Sequence, residues 1–156
     1  DRSKRAAVET LRSLLHDEIE RSLHPTHWIA QEACAALVAL GRSLDDPGLL
    51  SRYSLQLLMV REETLALGTP HLASLYATHA SASFRLLGEK RVPPHKIDEL
   101  HCQAAAALDA ARRIRTICFG ATHPLTEATA RAAAKASEGL EGSADRSMTG
   151  LLDLRC

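Results

Sequence analysis

Apolar residues recur at three- and four-residue steps along most of this chain, with polar residues between them. That is the signature of amphipathic helices. From about Arg2 to Arg21, Val8, Leu11, Leu14, Leu15 and Ile19 make one stripe. A second helix is expected after Pro25, burying Trp28, Ile29, Ala33, Ala36, Leu37 and Leu40 and stopping at Gly41. The third is capped by Asp45 or Asp46, takes Pro47 in its first turn and ends at Gly68. Leu50, Tyr53, Leu57, Val60, Thr64 and Leu67 line its main side, and Leu49, Leu58 and Leu65 widen the stripe. A helix this apolar is expected to lie between two others. Thr69-Pro70 starts a fourth helix that ends near Gly88, with Leu72, Leu75, Tyr76, His79, Ser83 and Leu86 or Leu87 facing inward. Pro93-Pro94 interrupts the pattern and predicts an extended link. Ile97, Leu100, Ala104, Ala107, Leu108, Ala111, Ile114 and Cys118 then give the cleanest helical period, closed by Gly120. A sixth helix opens at Pro124 and is expected to stop around Gly139.

No alternating apolar and polar run predicts a strand, so the expected fold class is all-α. Histidine and proline stand together at three expected helix starts: His24-Pro25, Pro70-His71 and His123-Pro124. Their spacing of roughly fifty residues is that of a helical-hairpin repeat with long connections. The architecture predicted is antiparallel helical hairpins stacked as a tetratricopeptide-like array of about six helices. Residues 1–139 form the helical repeat domain, and 140–156 a flexible tail with room for a short docked helix around Leu151-Leu152.

Composition narrows the picture. The chain has 156 residues, enough for one sizeable core, and only 3% are aromatic. Leu, Ala, Ile and Val must therefore fill the interior, and alanine lets helices approach closely. Nineteen Lys and Arg balance nineteen Asp and Glu, which argues against non-specific nucleic-acid binding. Cys34, Cys102, Cys118 and Cys156 lack metal-binding or redox spacing and read as reduced thiols. That implies a reducing, intracellular compartment, cytoplasmic or nuclear. No metal and no cofactor are expected, and no apolar run reaches the ~20 residues needed to span a bilayer. The chain starts with Asp rather than Met and reads as an excerpt of a longer one.

Two turns carry a family resemblance. Arg61 to Leu72 reads REETLALGTPHL, and Arg113 to Leu125 reads RIRTICFGATHPL. From Pro47 to about Ala134 the chain resembles the carboxy-terminal helical domain of the SET-and-MYND protein lysine methyltransferases, a relative of tetratricopeptide repeats. Arg61, Gly68, Pro70 and His71 supply the first of that domain's turns, with Pro-His in place of His-Pro. Arg113, Gly120, His123 and Pro124 supply the second. The Gly-x-x-His-Pro turn is also similar to the repeats of kinesin light chains. The resemblance implies a helical domain that shapes a substrate cleft or holds a protein partner. It also implies that methyl transfer would belong to a SET domain outside these residues.

The histidines at helix starts are expected to fix turns through hydrogen bonds to free backbone groups. No residue is assigned a catalytic role: His101-Cys102 are neighbours and face different sides of a helix. Asp45-Asp46 reads as a cap and Glu62-Glu63 as a solvated face. Arg112, Arg113 and Arg115 form a basic cluster near a helix C-terminus, able to receive an acidic peptide. The function expected is a protein–protein interaction module that holds a partner protein or peptide in a helical groove. In such stacks the first helix of each hairpin lines the concave side. Here Gln31, His79, Arg85, Arg131 and Lys135 are the solvent-facing contact candidates. The alternatives are a regulatory or cleft domain of a SET–MYND methyltransferase, and a structural subunit of a large assembly.

Overall fold

Asp1 precedes a run of helices with short connections; a computed structural model describes residues 1–24, 26–64 and 68–147. The elements are α1 (Arg2–Ser13), a π-helical stretch (Leu14–Ile19), α2 (Glu20–Ser22), α3 (Trp28–Leu44), α4 (Pro47–Thr64), α5 (Pro70–Gly88), a 3-10 turn (Pro94–Lys96), α6 (Ile97–Phe119) and α7 (Pro124–Ser147). No strand occurs among the described residues, and the fold is all-α with stacked helices. From α3 onward each helix packs chiefly on its neighbours in the chain: α3 on α4, α4 on α5, α5 on α6, α6 on α7. Short connections between helices that pack on each other make successive pairs antiparallel. The α1 helix lies against α3. Pro25, Leu65, Leu67 and the tail with Leu151, Leu152 and Cys156 lie outside the described residues.

The expected stripes mostly become the core. Leu37, Tyr53 and Leu72 are fully buried, and Leu50, Leu57 and Leu58 nearly so. Each such side chain contributes roughly 1.5–3 kcal/mol by leaving water. The α4 helix does lie between α3 and α5, as its width of apolar surface requires. A buried polar seam crosses the α4–α5 contact. Ser51 and Ser83 share a 2.9 Å hydrogen bond, His79 Nδ1 donates to the Ser51 carbonyl at 3.0 Å, and the Ser54 hydroxyl donates to the Leu50 carbonyl at 2.5 Å. His79 Nε2 is buried without a partner, and burial pulls the imidazole below its ordinary pKa of 6.5. The ring is therefore neutral at pH 7.

Several boundaries differ from the sequence pattern. The first helix is not one continuous α-helix: the wider π turn shifts its angular register. Leu15 becomes fully buried while Leu14 turns outward. The α3 helix starts at Trp28, not directly after Pro25, and its buried residues are Ala30, Ala33, Cys34, Leu37, Val38 and Gly41. Trp28 falls off that stripe, is 67% exposed, and stacks on His27.

Gly41 does not stop α3. It is buried inside the helix, where a Cβ would come within 3.1 Å of Leu49 and 3.2 Å of Leu50. Its lack of a side chain lets α4 approach. The helix ends instead at Asp45, which adopts the left-handed conformation with φ 54°. Asp46 then caps α4, its Oδ1 accepting from the amides of Gly48 and Leu49.

Pro93-Pro94 does not give a wholly extended link. Pro94 fits the first position of a 3-10 turn, where its missing N–H leaves no bond unmade. Gly120 ends α6 as expected, at φ 90°. The α7 helix passes Gly139 and Gly142 and continues to Ser147, because each glycine inside a helix costs only about 1 kcal/mol.

Candidate functional site

The histidine turns behave as local fasteners. His24 Nδ1 accepts from the Thr26 amide at 3.3 Å, and His123 Nδ1 accepts from the Leu125 amide at 3.2 Å. His27, absent from the sequence reading, does the same for α3, accepting from the Ile29 amide at 3.3 Å. Its signal was present: a polar ring three residues before the buried stripe begins at Ala30. His71 is exposed in the first turn of α5, and the cap there is Thr69, whose hydroxyl accepts from the Leu72 amide. Pro70 is the first residue of that helix and Gly68 precedes it with φ 119°; Pro124 opens α7 in the same way.

The concave features worth attention lie where α5 passes between α3 and α7. One cavity of about 390 Å³ is lined by Arg42 of α3, Ser74, Thr78, Ser81 and Arg85 of α5, and Arg115 of α6. A second, of about 510 Å³, is lined by Ser81, Phe84 and Arg85 of α5, His101 and Leu108 of α6, and Lys135 and Ala136 of α7. The two share Ser81 and Arg85, so they adjoin along α5, and we take them as two halves of one groove. Its first part carries three arginines and three hydroxyls over Leu50, Ala77 and Ala82. Its second part is floored by apolar side chains, with the edge of His101 against Phe84 at a centroid distance of 5.3 Å.

The groove cations are positioned by neighbours on different helices. Arg42 Nη2 donates to the Thr78 hydroxyl at 2.8 Å. Arg115 donates to Thr129 and to the Leu125 carbonyl, which turns it toward the α5–α7 side. Arg85 donates to both carboxylate oxygens of Asp45, at 2.6 and 3.1 Å. These hydrogen bonds, with the guanidinium charge, hold the Asp45 carboxyl below its ordinary range. Asp45 reaches the site because the left-handed turn that ends α3 aims it across to α5.

The five expected contact residues separate. Arg85 and Lys135 line the groove. Gln31 is half-buried and its amide nitrogen donates to the Thr26 carbonyl at 2.9 Å, so it braces the turn before α3. Arg131 is exposed and pairs with Glu127 at 3.8 Å along α7, outside the groove lining. His79 is a correction: it is 2% exposed and belongs to the buried α4–α5 seam, as its place in the inward stripe indicated.

Arg42, Phe84 and His101 were not singled out as contacts. Arg42 was missed because Gly41 read as the end of the helix, leaving the arginine without a face. The basic cluster also divides. Arg112 and Arg113 both pair with Asp109, whereas Arg115 turns into the groove.

No group of three His, Cys, Asp or Glu residues among those described is arranged to hold a metal ion. Cys118 Sγ donates to the Gly68 carbonyl at 2.8 Å, tying α6 to the α4–α5 turn. No described helix is long and apolar enough to cross a membrane. Compared with known proteins, the chain matches no family model, no curated protein and no solved structure.

Proposed function

We propose that this chain is a protein-interaction module whose α3–α5–α7 groove holds a segment of a partner protein. The observation that carries this reading is that the two cavities adjoin at Ser81 and Arg85, which line both. Together they offer a long, shallow depression with polar groups at one end and an apolar floor at the other. That shape suits a peptide, which presents side chains of both kinds along its length, better than a compact metabolite. The tetratricopeptide resemblance implies that the first helix of each hairpin lines the concave side; α5 supplies most of the lining here, with α6 and α7 next and α3 giving only Arg42.

Selection of random peptides displayed on phage against this chain tests the reading. Ser81 is exposed and lines both cavities, so Ser81→Trp fills the groove without touching the core. Selected peptides are expected to bind the parent chain and lose binding to Ser81→Trp. A selection that yields no binders, or binders indifferent to Trp at 81, would sink the groove.

A second reading rests on a separate observation. Ile117 is 78% exposed, and Met59, Leu125 and Phe119 are also large and open to solvent. Ile117, Phe119 and Leu125 cluster around the α6–α7 turn. Such a patch fits a subunit packed in an assembly, or a domain packed on the rest of a methyltransferase of the SET–MYND kind. Ile117→Ser with Leu125→Ser would raise solubility under that reading and leave groove binding unchanged.

A further inference from the structure

Resting on that groove reading, we propose that the groove selects acidic segments, in which Asp or Glu residues flank an apolar side chain. The chain as a whole carries equal numbers of cationic and acidic residues. The groove does not share that balance. Arg42, Arg85, Arg115 and Lys135 line it, from four different helices; none of its described lining residues is acidic, and the carboxylates at its edge, Asp45 and Glu89, both pair with Arg85. Composition does not produce such a concentration; the packing of α3, α5, α6 and α7 does.

The recognition chemistry is already on display inside the molecule. Arg85 receives the Asp45 carboxylate through both guanidinium nitrogens, the fork geometry that matches a carboxylate. The Asp45 side chain is 80% exposed, and an ion pair open to solvent contributes little to stability. A ligand carboxylate can therefore take the place of Asp45 at small cost. Beside Arg85 the groove becomes apolar, where Phe84, Leu108 and Ala136 offer a seat for an aliphatic side chain. Lys135 stands at the far side, ready for a second carboxylate. A single-stranded nucleic acid would also bring negative charge. It brings no aliphatic group for that seat, and the chain lacks the overall positive charge that holds a phosphate backbone.

Fluorescence anisotropy with three short labelled peptides, alternating Leu with Glu, Gln or Lys, tests the inference, with a labelled oligothymidine as the fourth probe. The Glu–Leu peptide is expected to bind best and to weaken steeply with salt. Asp45→Asn should tighten it several-fold: the amide tolerates the left-handed backbone, and Arg85 is left with only its longer 3.7 Å pairing with Glu89. A misfolded protein cannot give that gain. Arg42→Glu combined with Arg85→Glu should weaken it on the order of tenfold or more. Equal binding of the Gln–Leu peptide, or no change in Asp45→Asn, overturns acid selection and leaves the groove reading standing. Preference for the oligothymidine, or no binding by any probe, overturns acid selection too. The groove itself then stands or falls by the display selection with Ser81→Trp.

Discussion

The two ends of the helical stack are built from different materials. Between α1 and α5 the core is made of large side chains: Leu15, Leu37, Tyr53, Leu57 and Leu72, with Cys34 and Val38 between them. Between α5 and α7 it is made mostly of alanine: Ala80, Ala104, Ala107 and Ala136, with Leu108 the one large buried member. Large side chains store stability in contact area. Small ones let backbones come together but bury little, so the second region depends on closeness rather than volume. The apolar part of the groove lies along that thinner region, where short side chains leave room for Phe84 and Lys135 to border a cavity.

The contrast predicts opposite sensitivities. Leu37→Ala should open a cavity and destabilise the chain by about 2–5 kcal/mol in urea unfolding. Ala104→Leu should destabilise by about 1–3 kcal/mol through crowding, although it adds apolar surface, and a gain in stability would contradict the alanine contact described.

Acid has a smaller effect, centred on the seam that joins the two regions. His79 binds a proton less readily folded than unfolded, so the unfolded state takes up more protons below its ordinary value of 6.5. Stability is fully present above that pH and falls as the pH drops through it. His79→Leu should flatten this part of a plot of thermal midpoint against pH.

Smaller again is the loss of the α3 cap: His27→Ala should destabilise by about 0.5–1 kcal/mol, because the Ile29 amide loses its acceptor. Trp28→Ala, one residue on, should stay within about 0.5 kcal/mol despite the size of the side chain removed.

The periodicity of the chain made the helices legible, and most of the inward residues with them. Tyr53, Leu57, Leu72 and Ala104 sit where a helical step places them, and even His79 obeyed its stripe when its polarity suggested otherwise. Register and termination were harder to read. Gly41 looks like a stop because glycine ends many helices, yet its role depends on how near Leu49 and Leu50 come, which is a property of two helices. Trp28 looks like core because it is large, but one residue of shift in the start of α3 puts it outside. The groove was half legible. Arg85 and Lys135 follow from the alternation of hairpin helices, while Arg42 and Arg115 reach it through partners, Thr78 and Thr129, that lie 36 and 14 residues away in the chain.

The order in which the helices touch also shapes how the chain reaches this structure. With α3 to α7 each resting chiefly on the helix before and the helix after, few contacts must await the meeting of distant segments. Folding in such a chain is fast and can spread from one pair to the next like a closing zip. The large-residue pairing of α3 with α4 and α5 is the natural starting point. The last helix, held chiefly by α6 over a floor of alanine, opens more readily than the central α4. In hydrogen exchange its amides should trade with solvent ahead of those in α4, so the wall of the groove that carries Lys135 breathes more often than the centre of the stack.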